Sequence, residues 1–285
     1  MGVRAVLTTL VDGLGFAEGL RWHDGKLWFS DFVTRRVQTL DLAGTLTEVG
    51  FVPGVPSGLG FTADGPPLVV SMLDRRLLAI GDGTLSVVAD LRGLATFPAN
   101  DMLVRPDGQA WISTMTHELW YEPLPARPLA PLLGVSPSGQ VRVAAPDMAM
   151  ANGIALLPDG KTLVVAETHG RRLTAFDVAG DGSLRRRRLF ADLGDIHPDG
   201  ICADANGDIW VGGLYAESFL HVREGGEVLD RIAVPGCWAV TCVLGGSDGR
   251  RLFCAVKPVT TPTDMRTGHS RSLIHWVDVA VPAAA

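Results

Sequence analysis

The chain has only four cysteines, and their spacing forms neither a CxxC pair nor the dense framework of a disulfide-stapled domain. Cys202, Cys237, Cys242 and Cys254 therefore read as reduced, mostly buried thiols, and a zinc-thiolate site is not supported. Positive charge is also scarce. With 25 Lys and Arg against 31 Asp and Glu, the net charge is −6, which argues against a nucleic-acid partner. The single basic run, Arg185 to Arg188, reads as a solvated turn or strand edge. No stretch approaches the roughly 18 apolar residues of a membrane span. The opening MGVRAVLTTLVDGLGF lacks the long apolar core of a secretory leader, so the expectation is a cytoplasmic protein without a membrane partner. No segment of helical length carries apolar residues at i, i+3, i+4 and i+7, which counts against a helical repeat.

What the chain has is turn formers and a repeat. Thirty-four glycines and 18 prolines suit many short strands. A polar residue, a small residue and an aliphatic recur as Glu18-Gly19-Leu20, Ser57-Gly58-Leu59, Asn100-Asp101-Met102, Asn152-Gly153-Ile154 and Asp199-Gly200-Ile201, with a weaker sixth copy at Trp238-Ala239-Val240. The intervals of 39, 43, 52, 47 and 39 residues match a four-stranded propeller blade. A turn follows each opening strand: Asp24-Gly25, Asp64-Gly65, Asp107-Gly108, Asp159-Gly160, Asn206-Gly207 and Asp248-Gly249. Such Asp-Gly and Asn-Gly pairs are the strongest short hairpin signals. An apolar strand such as Leu27-Trp28-Phe29 or Ile209-Trp210-Val211 comes next. The expectation is all-β: residues 1–285 as a single six-bladed β-propeller with four-stranded antiparallel blades. Closure would pair Arg4 to Leu10 with Ser272 to Val279, and the Pro-rich stretch Trp120 to Pro137 reads as an excursion over one face.

In a propeller the first strand of each blade lines the central channel, so the repeated polar position becomes a ring. That ring reads Glu18, Ser57, Asn100, Asn152, Asp199 and a residue near Trp238. Asp, Asn and Ser also bond turn backbones at strand ends, which explains any one of them singly. Two carboxylates and two amides facing one narrow space are better explained by a cation between them. Oxygen donors without thiolate point to a hard divalent ion, Ca²⁺ first, with Mg²⁺, Mn²⁺, Fe²⁺ and Zn²⁺ also compatible.

The motifs Phe16-Ala17-Glu18-Gly19-Leu20-Arg21-Trp22, Asn100-Asp101-Met102, Met150-Ala151-Asn152-Gly153-Ile154 and Pro198-Asp199-Gly200-Ile201 resemble the regucalcin/gluconolactonase (SMP-30, luciferin-regenerating enzyme) family over nearly the whole chain. The resemblance implies that Glu18, Asn152 and Asp199 bind the metal, that Asn100 contacts substrate, and that Glu118 is a substrate-binding carboxylate. One departure stands out. Sugar-lactone members carry an arginine two residues before the mouth asparagine, where this chain has Pro98. With Phe97, Trp120, Tyr121 and Trp238 near the expected mouth, a substrate less polar than an aldonolactone is indicated.

The chemistry this implies is hydrolysis of a small lactone or related ester, with the cation polarising the carbonyl and Asp199 accepting a proton from the attacking water. A water activated by the cation is the alternative base, because a cation lowers the pKa of a carboxylate it binds. His117 and His197 are the histidines best placed for proton transfer, as sequence neighbours of Glu118 and Asp199. No GxSxG elbow supports a serine nucleophile. Two rival readings share the fold: a non-catalytic calcium- or ligand-binding propeller, and a biosynthetic enzyme that reuses the metal site.

Overall fold

The computed structural model describes residues 7–81, 83–119, 129–259 and 267–284. Its regular structure is entirely β: six four-stranded antiparallel sheets form a six-bladed β-propeller. Blade 1 shows how the sequence builds one unit. Its inner strand, Ala17–His23, turns at Asp24 and Gly25 into Lys26–Asp31, followed by Arg36–Leu40 and Leu46–Phe51. Asp24 and Gly25 have φ of 48° and 70°, the left-handed pair demanded by the tight hairpin turn whose twist matches the strands.

Each inner strand begins at one end of its blade, and the second strand returns to that end. The repeated polar residues, second in their inner strands in blades 1 to 5, therefore gather at a single mouth. Six apolar clusters fill the spaces between adjacent blades, and each contains the inner-strand residue two places beyond the ring position: Leu20, Leu59, Met102, Ile154, Ile201 or Cys242. The small residue before it is fixed by closeness at the axis. A Cβ on Gly153 would lie 2.6 Å from the carbonyl oxygen of Asp199, and one on Gly19 2.6 Å from that of Ser57. Glycine at these two positions lets the neighbouring inner strands approach this closely.

Three expectations are corrected. The sixth repeat is displaced by two residues: Ala239 pairs with Val256 ahead of a bulge just as Pro198 pairs with Gly213, so Val240 takes the ring position, and Trp238 precedes it. The N-terminal closing strand is Thr8–Leu14, not Arg4 to Leu10, of which the first three residues lie outside the described ones. It pairs with Ser272–Asp278 and forms the outermost strand of blade 6, whose order runs on from Ser272–Asp278 through Arg251–Pro258 to the inner strand Cys237–Gly245. The excursion over one face is shortened as well, because Ala130–Val135 is the third strand of blade 3; residues 120–128, with Trp120 and Tyr121, lie outside the described ones. The arginine run sits in Leu184–Asp192, the outer strand of blade 4, where Arg186 and Arg188 pair with Asp177 and Arg187 with Glu167.

Candidate metal centre

The ring expected from the repeat exists as a hydrogen-bonded arc. Ser57 Oγ donates to Asn100 Oδ1 at 3.0 Å, Asn100 Nδ2 donates to Asn152 Oδ1 at 3.0 Å, and Asn152 Nδ2 reaches Thr168 Oγ1 at 3.3 Å. Asp199 accepts a hydrogen bond from Asn152, and Glu18 Oε2 accepts the Gly19 N–H at 2.9 Å. Glu18, Asn100, Asn152 and Asp199 are buried, retaining 8%, 7%, 6% and 4% exposure. The bulge in each inner strand turns these side chains toward the axis.

A third carboxylate escaped the sequence reading. Asp101 stands where the other repeats have glycine or, in blade 6, Thr241, and it pairs with Arg21 of blade 1 across the channel at 2.7 Å. Arg21 Nη1 also donates to the Leu20 carbonyl at 2.8 Å, and Nη2 to that of Met102. Arg21 is therefore locked beneath the ring. The signal was present in the sequence as the one charged residue at a position otherwise kept small.

The electrostatics of the channel are unbalanced. Burial pushes the Glu18 carboxyl up to about 8; the Asp101 charge adds to this, while the Gly19 N–H and Arg21 oppose it. Burial likewise raises Asp199 well above the usual carboxylate range, reinforced by Glu18 and Asp101 and opposed by Asn152. Three carboxylates, Glu18, Asp101 and Asp199, thus share one guanidinium, leaving a deficit of two positive charges that a single divalent cation would fill. Two buried carboxylates beside amide oxygens form a hard-donor set suited to Ca²⁺, Mg²⁺ or Mn²⁺, so the residues fit such an ion.

The other expected residues lie higher on the mouth face. Glu118 is exposed, in a small cavity of about 100 Å³ with Arg75, Phe97 and Pro98, and joins none of the ring's hydrogen bonds. His117 stacks on His169, ring centroids 5.8 Å apart, and burial holds its imidazole below the usual range. His197 meets Tyr215 edge-on at 5.4 Å. Phe97 and Trp238 pack against an apolar cluster at the mouth, built on Phe16, Phe32, Met72 and Val240 among others.

A second group of metal-type side chains, Asp204, Asp208 and His221, occupies the opposite end of blade 5. Its atoms are already engaged. Asp204 accepts the N–H groups of Asn206 and Asp208 at 2.9 and 3.0 Å and bonds His221 Nε2 at 2.8 Å, while Arg223 holds Asp208. Ala205 N–H donates to the Pro282 carbonyl there, so this network anchors the C-terminal segment.

A mouth-facing ring of oxygen donors on a six-bladed propeller defines a class of proteins with one polar centre on the axis. Within that class the chain belongs to the SMP-30/gluconolactonase/LRE-like family, whose pattern it matches over residues 16–257. It is 31% identical over 157 residues to 6-deoxy-6-sulfogluconolactonase from Pseudomonas putida, covering 54% of this chain and 52% of that one. The chain thus spans about half the length of that curated relative. A gluconolactonase structure from Xanthomonas campestris superposes with a TM-score of 0.76 at 27% identity, covering 98% of this chain and 90% of the other. A calcium-binding regucalcin from Agrobacterium tumefaciens shares the fold, with a TM-score of 0.82 at 23% identity and coverage of 98% and 96%.

Proposed function

We propose that this protein hydrolyses a small lactone or related ester at the axial ring, using one divalent cation held by Glu18, Asn152 and Asp199. The observation that carries the reading is the charge imbalance in the channel, where the buried carboxylates Glu18, Asp101 and Asp199, beside two amides, outnumber the single guanidinium of Arg21. Family membership supports the reaction type, and the relatives named gluconolactonase and sulfogluconolactonase agree with it.

When bound, the cation supplies Lewis-acid polarisation of the substrate carbonyl and charge to stabilise the oxyanion. Calcium is the cation assigned here, and Mg²⁺ or Mn²⁺ suits the same hard oxygen donors. Glu18 and Asp199 contribute the negative charge that holds it. Asn152 is oriented by Thr168 and Asn100, and Asn100 is fixed between Ser57 and Asn152, so its amide is positioned to meet substrate without reorganisation. Asp199, which also accepts a hydrogen bond from Asn152, is assigned as the acceptor of the proton from the attacking water. Glu118, on the exposed lip, is assigned to the outer part of the substrate.

The experiment is a hydrolysis screen over aldonolactones, aliphatic lactones, aryl esters and phosphotriesters, with chelator-treated and cation-supplemented protein. Cation-dependent turnover of a lactone or ester is expected. Absence of turnover across the panel, with a cation bound, would replace the hydrolase reading by the binding or biosynthetic one.

A further inference from the structure

On the side of the ring away from the mouth, the inner strands of five blades wall a cavity of about 150 Å³, bordered by Leu20, Arg21, Leu103, Ala155, Cys202 and Cys242 among others. Two thiols meet in its wall. Cys202, in the inner strand Pro198–Ala203 of blade 5, and Cys242, in Cys237–Gly245 of blade 6, hold their Sγ atoms 3.9 Å apart. The two strands are already in contact beside this pair, since a Cβ on Gly200 would lie 2.7 Å from the Cα of Thr241. A disulfide needs its sulfurs about 2.05 Å apart. The remaining approach is divided between two side chains on strands that need not move together first.

The two thiols differ in access. Cys202 is half-buried and borders the cavity, whereas Cys242 is buried. Burial pushes the Cys242 thiol well above the usual range, and the Cys202 contact adds to this. Burial likewise raises Cys254, which stands opposite Cys242 in Arg251–Pro258. A small oxidant in the cavity therefore meets Cys202 first, with Cys242 placed to resolve the product.

We propose that Cys202 and Cys242 form an oxidation site, which hydrogen peroxide converts into a disulfide stapling blades 5 and 6 below the ring. Cys202 Sγ attacks one peroxide oxygen, the O–O bond breaks, and Cys202 becomes a sulfenic acid as one water leaves. Cys242 Sγ then attacks the Cys202 sulfur. The S–O bond breaks, and the hydroxyl departs with the Cys242 proton as a second water. The two thiols lose two electrons and the peroxide gains them. The new bond joins residues 40 positions apart, which restricts the unfolded chain. The site is independent of the hydrolase reading.

The test is peptide mapping of the full chain by mass spectrometry after peroxide treatment, with free thiols blocked and no reductant present. A linked Cys202–Cys242 peptide pair is expected, and titratable thiols should fall from four to two. The thermal midpoint should rise by roughly 8 °C, as expected for closing a loop of this length, and a dithiol reductant should reverse the rise. Cys237, the other half-buried thiol, should stay unlinked. Cys242→Ala should halt the reaction at the Cys202 sulfenic acid, trapped by dimedone. Absence of the linked pair, a link from Cys242 to Cys254 in its place, or a link that leaves the midpoint unchanged overturns the proposal.

Discussion

Glu18→Gln should stabilise the cation-free protein, and the gain should grow with pH. The Glu18 carboxyl titrates near 8 in the folded chain, against about 4.5 in the unfolded one. Because the folded-state value is the higher, the unfolded chain gives up its proton first as pH rises. The stability available below pH 4.5 is then lost progressively up to about pH 8. At pH 7.5 the three units above 4.5 correspond to about 4 kcal/mol, at about 1.4 kcal/mol per unit. For a domain of this size that is roughly 8 °C in thermal midpoint, at about 2 °C per kcal/mol. Glutamine keeps an oxygen for the Gly19 N–H and carries no charge, so it removes the cost without removing the contact. The assay is thermal unfolding in chelator from pH 5 to pH 8 for both proteins. The wild-type midpoint should fall relative to the variant across that range, and saturating calcium should reverse their order at pH 7.5. A gap between the two that ignores pH, or a variant less stable than wild type at pH 8 in chelator, would refute the electrostatic account of the ring.

Asp199→Asn should fold, bind cation more weakly, and at full occupancy retain less activity than Glu18→Gln, since it also loses the proposed base; rates measured with bound metal determined directly decide this. Arg21→Met leaves Asp101 buried without its partner and should lower stability by about 3–5 kcal/mol, with Asp101→Asn in the same chain recovering part of the loss; chemical denaturation of the single and double variants checks it. Gly153→Ala drives a methyl to within 2.6 Å of the Asp199 carbonyl and should cost both stability and cation affinity, read by thermal unfolding and calorimetry. Deleting Ser272 to Ala285 removes the strand between Thr8–Leu14 and Arg251–Pro258, along with the buried Ile274 and Val277. At about 1.5–3 kcal/mol per such side chain, the truncated protein should unfold many degrees lower, and an unchanged midpoint would disprove strand-sharing closure.

The fold was legible because each blade repeats its own instructions: a polar residue for the axis, a small one for close approach, an aliphatic for the space between blades, then an Asp-Gly or Asn-Gly turn. The ring followed from that spacing for blades 1 to 5. Blade 6 misled the reading because its ring residue is the apolar Val240 and the next is Thr241, so neither polarity nor glycine marked the register. Arg21 and Asp101 stood inside quoted motifs, yet their pairing across the channel joins residues 80 positions apart and is set by ring geometry alone. Asp204 and His221 were obscured likewise, since they meet through hairpin pairing rather than motif spacing.

The central claim is that one divalent cation on the axis makes this chain a hydrolase. Its most direct test is a stoichiometric add-back: protein stripped with chelator, calcium returned in fractions of an equivalent, and hydrolysis of the best lactone or ester followed against cation bound per chain. The account predicts that the stripped protein is inactive and that the rate rises linearly to a plateau at one equivalent, with Glu18→Gln and Asp199→Asn shifting or abolishing the rise. Full activity in the stripped protein, or one cation bound with no turnover, would contradict it.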